Sequence, residues 1–333
     1  MKRVIPVALA AFLVALLVPA TAQIRPVAVI FDTDMGNDID DALALAILHG
    51  LESRSEAKLL AVTITKDNPY AAEFVDVVDT FYGRGEIPIG IVKNGKTPQD
   101  SPMIHVPSER KRPDGSFVYP RRLTLGAAPD AVAVLRRALA SAADGNVVII
   151  QVGFSTNLAR LLDSPADSIS PLTGLQLAAK KVKLVSAMAG NFTAAQPEFN
   201  IATDIPAAQK LCDQWPSPIV FSGFEIGDAL PFPATSIEHD FSWVPDHPVA
   251  EAYRNYMHMP YDRPTWDLTA ALYAVRPEGN YFSLSPNGTV RVDEKGITRF
   301  TPSPEGKHRY LILESAQKAR TLEALILLAS QPR

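Results

Sequence analysis

The stretch VIFDTDMGNDIDDALALAIL, Val29 to Leu48, decides the fold. It places an apolar run first, then five aspartates, and then a second apolar run whose spacing is typical of a helix. The aspartates are Asp32, Asp34, Asp38, Asp40 and Asp41. A buried strand that leads directly into a helix is typical of the β–α–β unit. The acidic residues therefore fall at the carboxyl end of a strand, which is where open α/β sheets bind their ligands.

Strand-like and helix-like segments alternate along most of the remaining chain. This alternation predicts an α/β fold, with an open, mostly parallel sheet and helices on both faces. Lys93 to Leu125 is rich in proline, glycine and charge, and we expect it to be irregular. Tyr281 to Glu314 predicts a small antiparallel β appendage near the C-terminus, closed by a helix over Ala316–Ala329. Because no linker interrupts the pattern, residues 23–333 are predicted to form a single domain.

The N-terminal residues have the composition of a targeting segment. A basic start is followed by an apolar run, Ile5 to Val18, and then by small residues at Ala20 and Ala22. This order predicts a signal peptide over residues 1–22 and a secreted or periplasmic mature protein that has no contact with the membrane. The alternative is an N-terminal membrane anchor, for which the apolar run is short.

Charge and cysteine content exclude several classes of function. The formal net charge is −4, and loss of the two basic residues of the signal peptide lowers it to −6. A mildly acidic chain without a basic stripe is a poor candidate for binding nucleic acid. Cys212 is the only cysteine, so an internal disulfide and a zinc–thiolate site are both excluded.

The crowded aspartates point to a divalent cation. Carboxylates that are close together raise one another's pKa, and a bound cation removes that conflict. Oxygen ligands without cysteine or a nearby histidine favour calcium or magnesium. The alternative is a helix N-terminus decorated with acids, which accounts for Asp38, Asp40 and Asp41 but not for Asp32 and Asp34. A strand that ends in D-x-D also opens the haloacid-dehalogenase phosphatases, so a magnesium phosphatase is a rival interpretation.

Four blocks of sequence carry a resemblance to a known family. DTDMGNDIDDALAL resembles the signature D-x-D-P-G-x-D-D-A of the inosine-uridine-preferring nucleoside hydrolases, with Met35 in place of proline and two additional residues before the aspartate pair. Three later blocks resemble that family in the expected order: VGFSTNLA (Val152 to Ala159), AGNFTAAQPEFNIATDIPAA (Ala189 to Ala208) and TWDLTAALYAVRP (Thr265 to Pro277). The haloacid-dehalogenase interpretation predicts none of these three blocks.

The resemblance implies an activity and a set of site residues. The activity is calcium-dependent hydrolysis of the N-glycosidic bond of ribonucleosides to free base and ribose, with Asp34 as the general base for a water held by the metal. The implied calcium ligands are Asp34, Asp41, the carbonyl of Thr156, and Asp267. The implied substrate-binding residues are Asp40, Asn68, Asn191, Glu198, Asn200 and Trp266. Side chains that bind the ribose hydroxyls would make 2′-deoxyribosides poor substrates.

The departure of the base is the step at which this chain differs from the family pattern. Trp266 stands where nonspecific members have a histidine linked to protonation of the leaving group. It resembles the purine-preferring branch, in which a tryptophan stacks on the base, so purine nucleosides are the expected substrates. His258 is an alternative acid, with Tyr253, Tyr256 and Tyr261 as candidate pocket walls.

Other assignments stay open at this point. Asp32 is expected to orient ligands without binding the ion, whereas the roles of Asp38 and Glu225 are open. A second hypothesis for the whole chain is an exported protein of the same fold that binds a nucleoside or sugar without turnover. The resemblance also implies a possible homo-oligomer, although no residue pattern marks an interface.

Overall fold

A computed structural model describes residues 25–332, so the signal peptide predicted for residues 1–22 lies outside the described residues. Within that range, no helix is long and apolar enough to cross a membrane. The strands are β1 (Val27–Thr33), β2 (Ala57–Lys66), β3 (Ile89–Lys96), β4 (Val147–Gln151), β5 (Val182–Met188), β6 (Ile219–Ser222), β7 (Pro231–Phe232), β8 (Arg263–Pro264), β9 (Ser283–Leu284), β10 (Gly288–Val292), β11 (Thr298–Pro302) and β12 (His308–Ile312). The helices are α1 (Asp40–Ser53), α2 (Pro69–Phe81), α3 (Pro102–Glu109), α4 (Ala131–Ser141), α5 (Thr156–Asp163), α6 (Gly174–Lys181), α7 (Phe199–Thr203), α8 (Ile205–Gln214), α9 (Phe224–Asp228), α10 (Ala234–His239), α11 (Pro248–Tyr256), α12 (Trp266–Val275) and α13 (Lys318–Ser330).

One sheet of ten strands organises the molecule. Its order is β11-β10-β12-β6-β5-β4-β1-β2-β3, and β9 pairs with β12 beside this path. The seven strands from β12 to β3 are parallel to one another. The predicted fold class is therefore confirmed. Because the chain proceeds from β1 to β2 on one side and later returns to β4 on the other, the sheet has a topological switch point between β1 and β4.

Burial explains why the opening stretch forms a strand followed by a helix. All residues of β1 after Val27 are buried, as expected for a central strand that is covered on both faces. Helix α1 is buried from Asp40 to Leu51, and it packs against α12 and α13. A helix that is apolar on nearly every side belongs in the interior.

The structure corrects two expectations about secondary structure. Helix α3 lies inside the segment Lys93 to Leu125, which the sequence predicted to be irregular. This helix starts with Pro102 in its first turn, where a missing backbone N–H costs nothing, and it also contains Pro107. Helix α6 was not predicted either, although Thr173 and Gln176 form a capping box at its start. Short length concealed both helices, and the two prolines also concealed α3.

The C-terminal strands are antiparallel, as predicted, and they extend the main sheet. β10 pairs with β11 and β12 in antiparallel fashion, while β12 pairs in parallel with β6. The closing helix runs from Lys318 to Ser330, two residues later at its start than the sequence predicted.

Candidate active site

The loop between β1 and α1 folds inward with its two additional residues. Gly36 adopts a positive φ of 107°, and the Asn37 N–H donates to the Asp34 carbonyl at 3.2 Å, which closes a turn. The Asn37 side chain donates to Asp34 Oδ2 at 2.8 Å and accepts from Lys66 Nζ at 2.8 Å. Asp38 forms an ion pair with Arg263. The additional residues therefore hold neighbouring groups in place, and Asp38 is more than a helix cap.

A cavity of about 330 Å³ lies at the carboxyl ends of the central strands. This volume is within the range of small-ligand sites, and the cavity is beside the switch point of the sheet. Seven of the predicted site residues line it: Asp34, Asp40, Asp41, Glu198, Asn200, Trp266 and Asp267.

Two helix N-termini bring three carboxylates together at the floor of this cavity. Asp40 and Asp41 are in the first turn of α1, and Asp267 is in the first turn of α12. Each offers an oxygen, and these oxygens lie within 4.8 Å of one another. The Asp267 N–H donates to Asp40 Oδ2 at 3.0 Å. Asp41 Oδ1 accepts from the hydroxyl of Thr33, whereas its buried Oδ2 has no hydrogen-bond partner among residues 25–332.

Burial dominates the electrostatics of this cluster. It raises the pKa of Asp34 to about 6, and it raises the pKa values of Asp40, Asp41 and Asp267 well above the usual carboxyl range. The neighbouring carboxylates raise the same pKa values further. The polypeptide alone therefore disfavours full ionisation of this cluster, and a cation would restore it.

Glu198 and Asn200 form a second wall of the cavity. Glu198 precedes α7 and accepts hydrogen bonds from the backbone N–H groups of Gly190, Asn200 and Ile201 at 3.1, 2.7 and 3.2 Å. Burial nevertheless raises the pKa of Glu198 to about 7. Asn200 Nδ2 donates to the carbonyls of Val152 and Met188, at the ends of β4 and β5. Both side chains are thus fixed by strand ends and by a helix start.

Aromatic side chains and one arginine form the outer end of the cavity. Trp266 Nε1 donates to the carbonyl of Phe224 at 2.9 Å, and the two rings are 5.3 Å apart. The guanidinium of Arg263 lies over the rings of Trp266 and Tyr256, at 5.1 and 5.2 Å from their centroids. Phe199, which is more than half exposed, completes this end. The cavity therefore has an acidic floor and an aromatic mouth.

Three predicted site residues do not line the cavity, and their roles stay predictions. Asn68 caps α2 by accepting from the Tyr70 N–H at 3.0 Å. Asn191 Oδ1 accepts from the N–H groups of Thr193 and Ala194. Thr156 begins α5, and its hydroxyl donates to Asp204 at 2.5 Å.

The residues whose roles were open are distributed differently. His258 is exposed and does not line the cavity, and of the three candidate tyrosines only Tyr256 does. Asp32 is buried behind the cavity, where Oδ1 accepts from Thr63 Oγ1 at 2.6 Å and from Asn157 Nδ2 at 2.8 Å. The expected role of Asp32 in orienting ligands stays a prediction. Glu225 Oε2 accepts from the Phe192 N–H at 3.2 Å.

The sequence did not identify Arg263 and Asn37 as site residues. Arg263 comes three residues before Trp266, in the strand β8 that pairs with β7. Its partner Asp38 is 225 residues away in sequence, so no local pattern marks the pair. Asn37 is adjacent to the aspartates, and its place in the additional segment is the one signal that pointed to it.

An acidic, oxygen-lined cavity at the switch point of a parallel sheet is typical of metal-assisted α/β enzymes that act on small polar molecules. Residues 29–320 match the model of the family described as inosine-uridine preferring nucleoside hydrolase. The chain therefore belongs to the inosine-uridine preferring nucleoside hydrolase family, and it is a hydrolase that acts on N-glycosyl bonds.

Solved structures share the fold at low sequence identity. A plant nucleoside hydrolase, PpNRh1, is 21% identical, with a TM-score of 0.66 over 92% of this chain and 100% of that one. The inosine-uridine preferring nucleoside hydrolase of Bacillus anthracis is 17% identical, with a TM-score of 0.67 over 91% and 99%. The purine-preferring ribonucleoside hydrolase of Gardnerella vaginalis is 17% identical, with a TM-score of 0.68 over 91% and 98%. No curated protein sequence matches the chain.

Proposed function

We propose that this protein is a calcium-dependent nucleoside hydrolase that favours purine ribonucleosides. The observation that carries the proposal is the convergence of Asp34 and the carboxylates of Asp40, Asp41 and Asp267 in one cavity. The N-terminal pattern supports export, so we propose that the enzyme acts in the periplasm or outside the cell.

The donor set fits a hard cation. Asp41 Oδ2 is buried without a hydrogen-bond partner in the described part of the chain, and such an atom is costly unless an ion or water binds it. Three carboxylates whose oxygens lie within 4.8 Å of one another suit calcium, which accepts six to eight oxygen ligands. Two members of this group, Asp41 and Asp267, are the proposed calcium ligands, together with Asp34 and the carbonyl of Thr156, whereas Asp40 is assigned to the sugar. When bound, calcium would supply positive charge that keeps these groups ionised and lowers the pKa of a nearby water.

Asp34 is the proposed general base. Asn37 donates to its Oδ2 and leaves the carboxylate directed at the cavity that it lines. In the reaction, the water oxygen forms a bond with C1′ of the ribose as the C1′–N bond breaks, and Asp34 takes a proton from that water. The bonding electron pair stays on the nitrogen of the base. A proton from solvent neutralises the base, and Asp34 returns its own proton to solvent, so the products are ribose and free base.

The second wall of the cavity supplies the sugar contacts. Asn200 uses its Nδ2 on two strand carbonyls, which leaves Oδ1 as an acceptor for a ribose hydroxyl. Asp40 and Glu198 add carboxylate acceptors. A site built from such groups rejects sugars that lack the hydroxyl, because its buried polar atoms are then unpaired. We therefore expect 2′-deoxyribosides to be poor substrates.

The aromatic mouth supports the purine assignment. Phe199, Phe224, Tyr256 and Trp266 offer ring surface to a bicyclic base. The hydrolase of Gardnerella vaginalis that shares this fold is named for a purine preference. Pyrimidine nucleosides offer a smaller surface, and we expect lower kcat/KM for them.

The deciding experiment assays free reducing sugar after incubation of mature protein with inosine, adenosine, uridine and 2′-deoxyinosine in calcium. Wild type is expected to release ribose from the purine nucleosides. Asp34→Asn is expected to lower kcat by about 10²–10⁴-fold, the range typical of a lost general base. Asp163→Asn removes a largely exposed carboxylate that pairs with Lys210, and this control should retain wild-type turnover.

Two outcomes would contradict the proposal. Binding of nucleosides without turnover anywhere in the panel would favour a binding protein. Full activity after dialysis against EDTA would exclude the calcium assignment, and recovery with magnesium but not with calcium would replace it.

A further inference from the structure

Arg263 carries the one positive charge among the residues that line the cavity within residues 25–332. Its side chain is 22% exposed, and it belongs to the aromatic mouth rather than to the acidic floor. A cation at this end of the cavity lies away from the proposed metal ligands and on the side where a base would depart. No role for it follows from the proposed chemistry of Asp34.

Asp38 and two aromatic rings hold the guanidinium in place. Arg263 Nε donates to Asp38 Oδ1 at 2.9 Å, and Nη2 donates to Asp38 Oδ2, which is a bidentate ion pair. Nη2 also donates to the hydroxyl of Tyr256 at 3.2 Å. The guanidinium lies over the rings of Tyr256 and Trp266. A guanidinium that is fixed by a bidentate ion pair and by two aromatic rings is preorganised, because its orientation does not have to be established during the reaction.

One edge of the guanidinium is available to a ligand. An arginine has five N–H donors. The contacts to Asp38 and Tyr256 use the donors on Nε and Nη2, and no described residue accepts from Nη1. Because Arg263 lines the cavity, the two N–H groups of Nη1 are the donors that remain for a molecule bound there.

Neither Trp266 nor His258 is placed to donate a hydrogen bond to a departing base. The indole N–H of Trp266 is already donated to the carbonyl of Phe224, and His258 does not line the cavity. Arg263 is permanently protonated at neutral pH, so it cannot transfer a proton to the base. It can stabilise negative charge by hydrogen bonding, which is the task that arises when a base leaves with the electron pair of the C1′–N bond.

We propose that Arg263 is a catalytic residue for departure of the base, and that Asp38 is the residue that positions it. This inference rests on the proposed hydrolysis of nucleosides. As the C1′–N bond breaks, its electron pair moves onto the base, and Nη1 of Arg263 donates hydrogen bonds to that developing anion. The base then takes a proton from solvent. Asp38, one of the residues of the additional segment, fixes the guanidinium in the cavity.

The test compares two ribosides whose leaving groups differ in basicity, and therefore in how much stabilisation of negative charge their departure requires. Inosine has a strongly basic leaving group, whereas 4-nitrophenyl β-D-ribofuranoside releases a weakly basic phenolate. Arg263→Gln is expected to lower kcat on inosine by about 10²–10³-fold, the magnitude of a lost donor to a developing anion. On the nitrophenyl riboside, we expect a loss at least tenfold smaller. Asp38→Asn should show the same selectivity with a smaller loss on inosine.

Arg276→Gln is the matched control. Arg276 is also 22% exposed, and it also forms a bidentate ion pair, with Glu56 at 2.7 Å for both contacts, but it lies at the far end of α12. It should retain wild-type kcat on both substrates. Turnover of the nitrophenyl riboside also reports that a variant is folded. If Arg263→Gln fails to fold, Arg263→Lys replaces it as the test variant. Lysine keeps the positive charge but loses the planar guanidinium and its bidentate contact, so we expect the same selective loss of kcat on inosine.

The outcomes separate this inference from the proposed function. If wild type cleaves neither riboside, the proposed function fails. If wild type cleaves both and the Arg263 variants lose equal rate on both, the residue holds the sugar or the fold, and the inference is overturned. Unchanged turnover of inosine by the Arg263 variants would overturn it as well.

Discussion

At the scale of single residues, Asn200 links the sugar site to the sheet. Its Nδ2 donates to the carbonyl of Val152 at 2.7 Å and to that of Met188 at 3.1 Å. These carbonyls lie at the ends of neighbouring strands, so one amide connects β4 to β5 at the cavity wall. A residue that the sequence suggested as a ligand for ribose thus also contributes to stability.

Asn200→Ala is expected to lower the free energy of unfolding by about 2–4 kcal/mol, because it leaves two buried carbonyls without a donor. Urea denaturation followed by circular dichroism measures this change. Asn146→Ala, at an exposed position, is the control and should change the free energy by less than about 0.5 kcal/mol. Equal stability of Asn200→Ala and wild type would show that the hydrogen bonds from Asn200 to the two carbonyls do not contribute to the free energy of unfolding.

At the scale of elements, the close approach of β1 and the loop after β4 defines the position of Asp34. A Cβ on Gly153 would lie 2.6 Å from the backbone nitrogen of Asp34 and 2.7 Å from the carbonyl carbon of Thr33. Backbone atoms in a central strand can move away from such a clash only if the whole strand moves. Glycine is therefore required here because the neighbouring backbone leaves no room for a Cβ atom.

Gly153→Ala is expected to displace Asp34, to lower kcat on inosine at least tenfold and to lower the free energy of unfolding by about 1–3 kcal/mol. Steady-state kinetics and urea denaturation measure the two effects. Gly115→Ala is the comparison variant, because Gly115 has φ +84° in an exposed turn with nothing within 4 Å. It should cost about 1 kcal/mol and leave kcat unchanged. A Gly153→Ala variant with full activity would mean that β1 tolerates the added methyl group.

At the scale of the whole molecule, the buried carboxylates connect stability to pH and to metal. Burial raises the pKa of Asp34 to about 6 and those of Asp32 and Glu198 to about 7, against ordinary values of 3.8 and 4.5. The metal-free folded state therefore binds more protons than the unfolded state between about pH 4 and pH 7. By linkage, its stability is greatest at the acid end of that window and is lost as pH rises through it.

In EDTA, we expect the free energy of unfolding to be lower at pH 7.5 than at pH 5 by on the order of 6 kcal/mol. Calcium should remove most of this difference, because the ion favours the ionised carboxylates. Urea denaturation at both pH values, with EDTA and with calcium, measures the effect. Greater stability at pH 7.5 than at pH 5 in EDTA would contradict the assignment of raised pKa values.

Sequence and structure agree where neighbouring residues carry the information. The strand–acid–helix order of Val29 to Leu48 predicted β1, α1 and the acidic floor, because β1 and α1 follow each other directly and their junction must lie at the sheet edge. Short helices that contain or begin with proline, such as α3, carried a weaker local signal and were missed.

The sequence by itself determined the fold class, the family and the aspartates that gather at one strand end, since periodicity and motif order are properties of the chain. Tertiary structure alone decided that Asp38 pairs with Arg263 and that Arg263 lies over Trp266. It also decided that Asn68 lies outside the cavity. The physical reason is that these contacts depend on the order of strands in the sheet and on the packing of loops that are far apart in sequence. Local preferences do not specify such contacts.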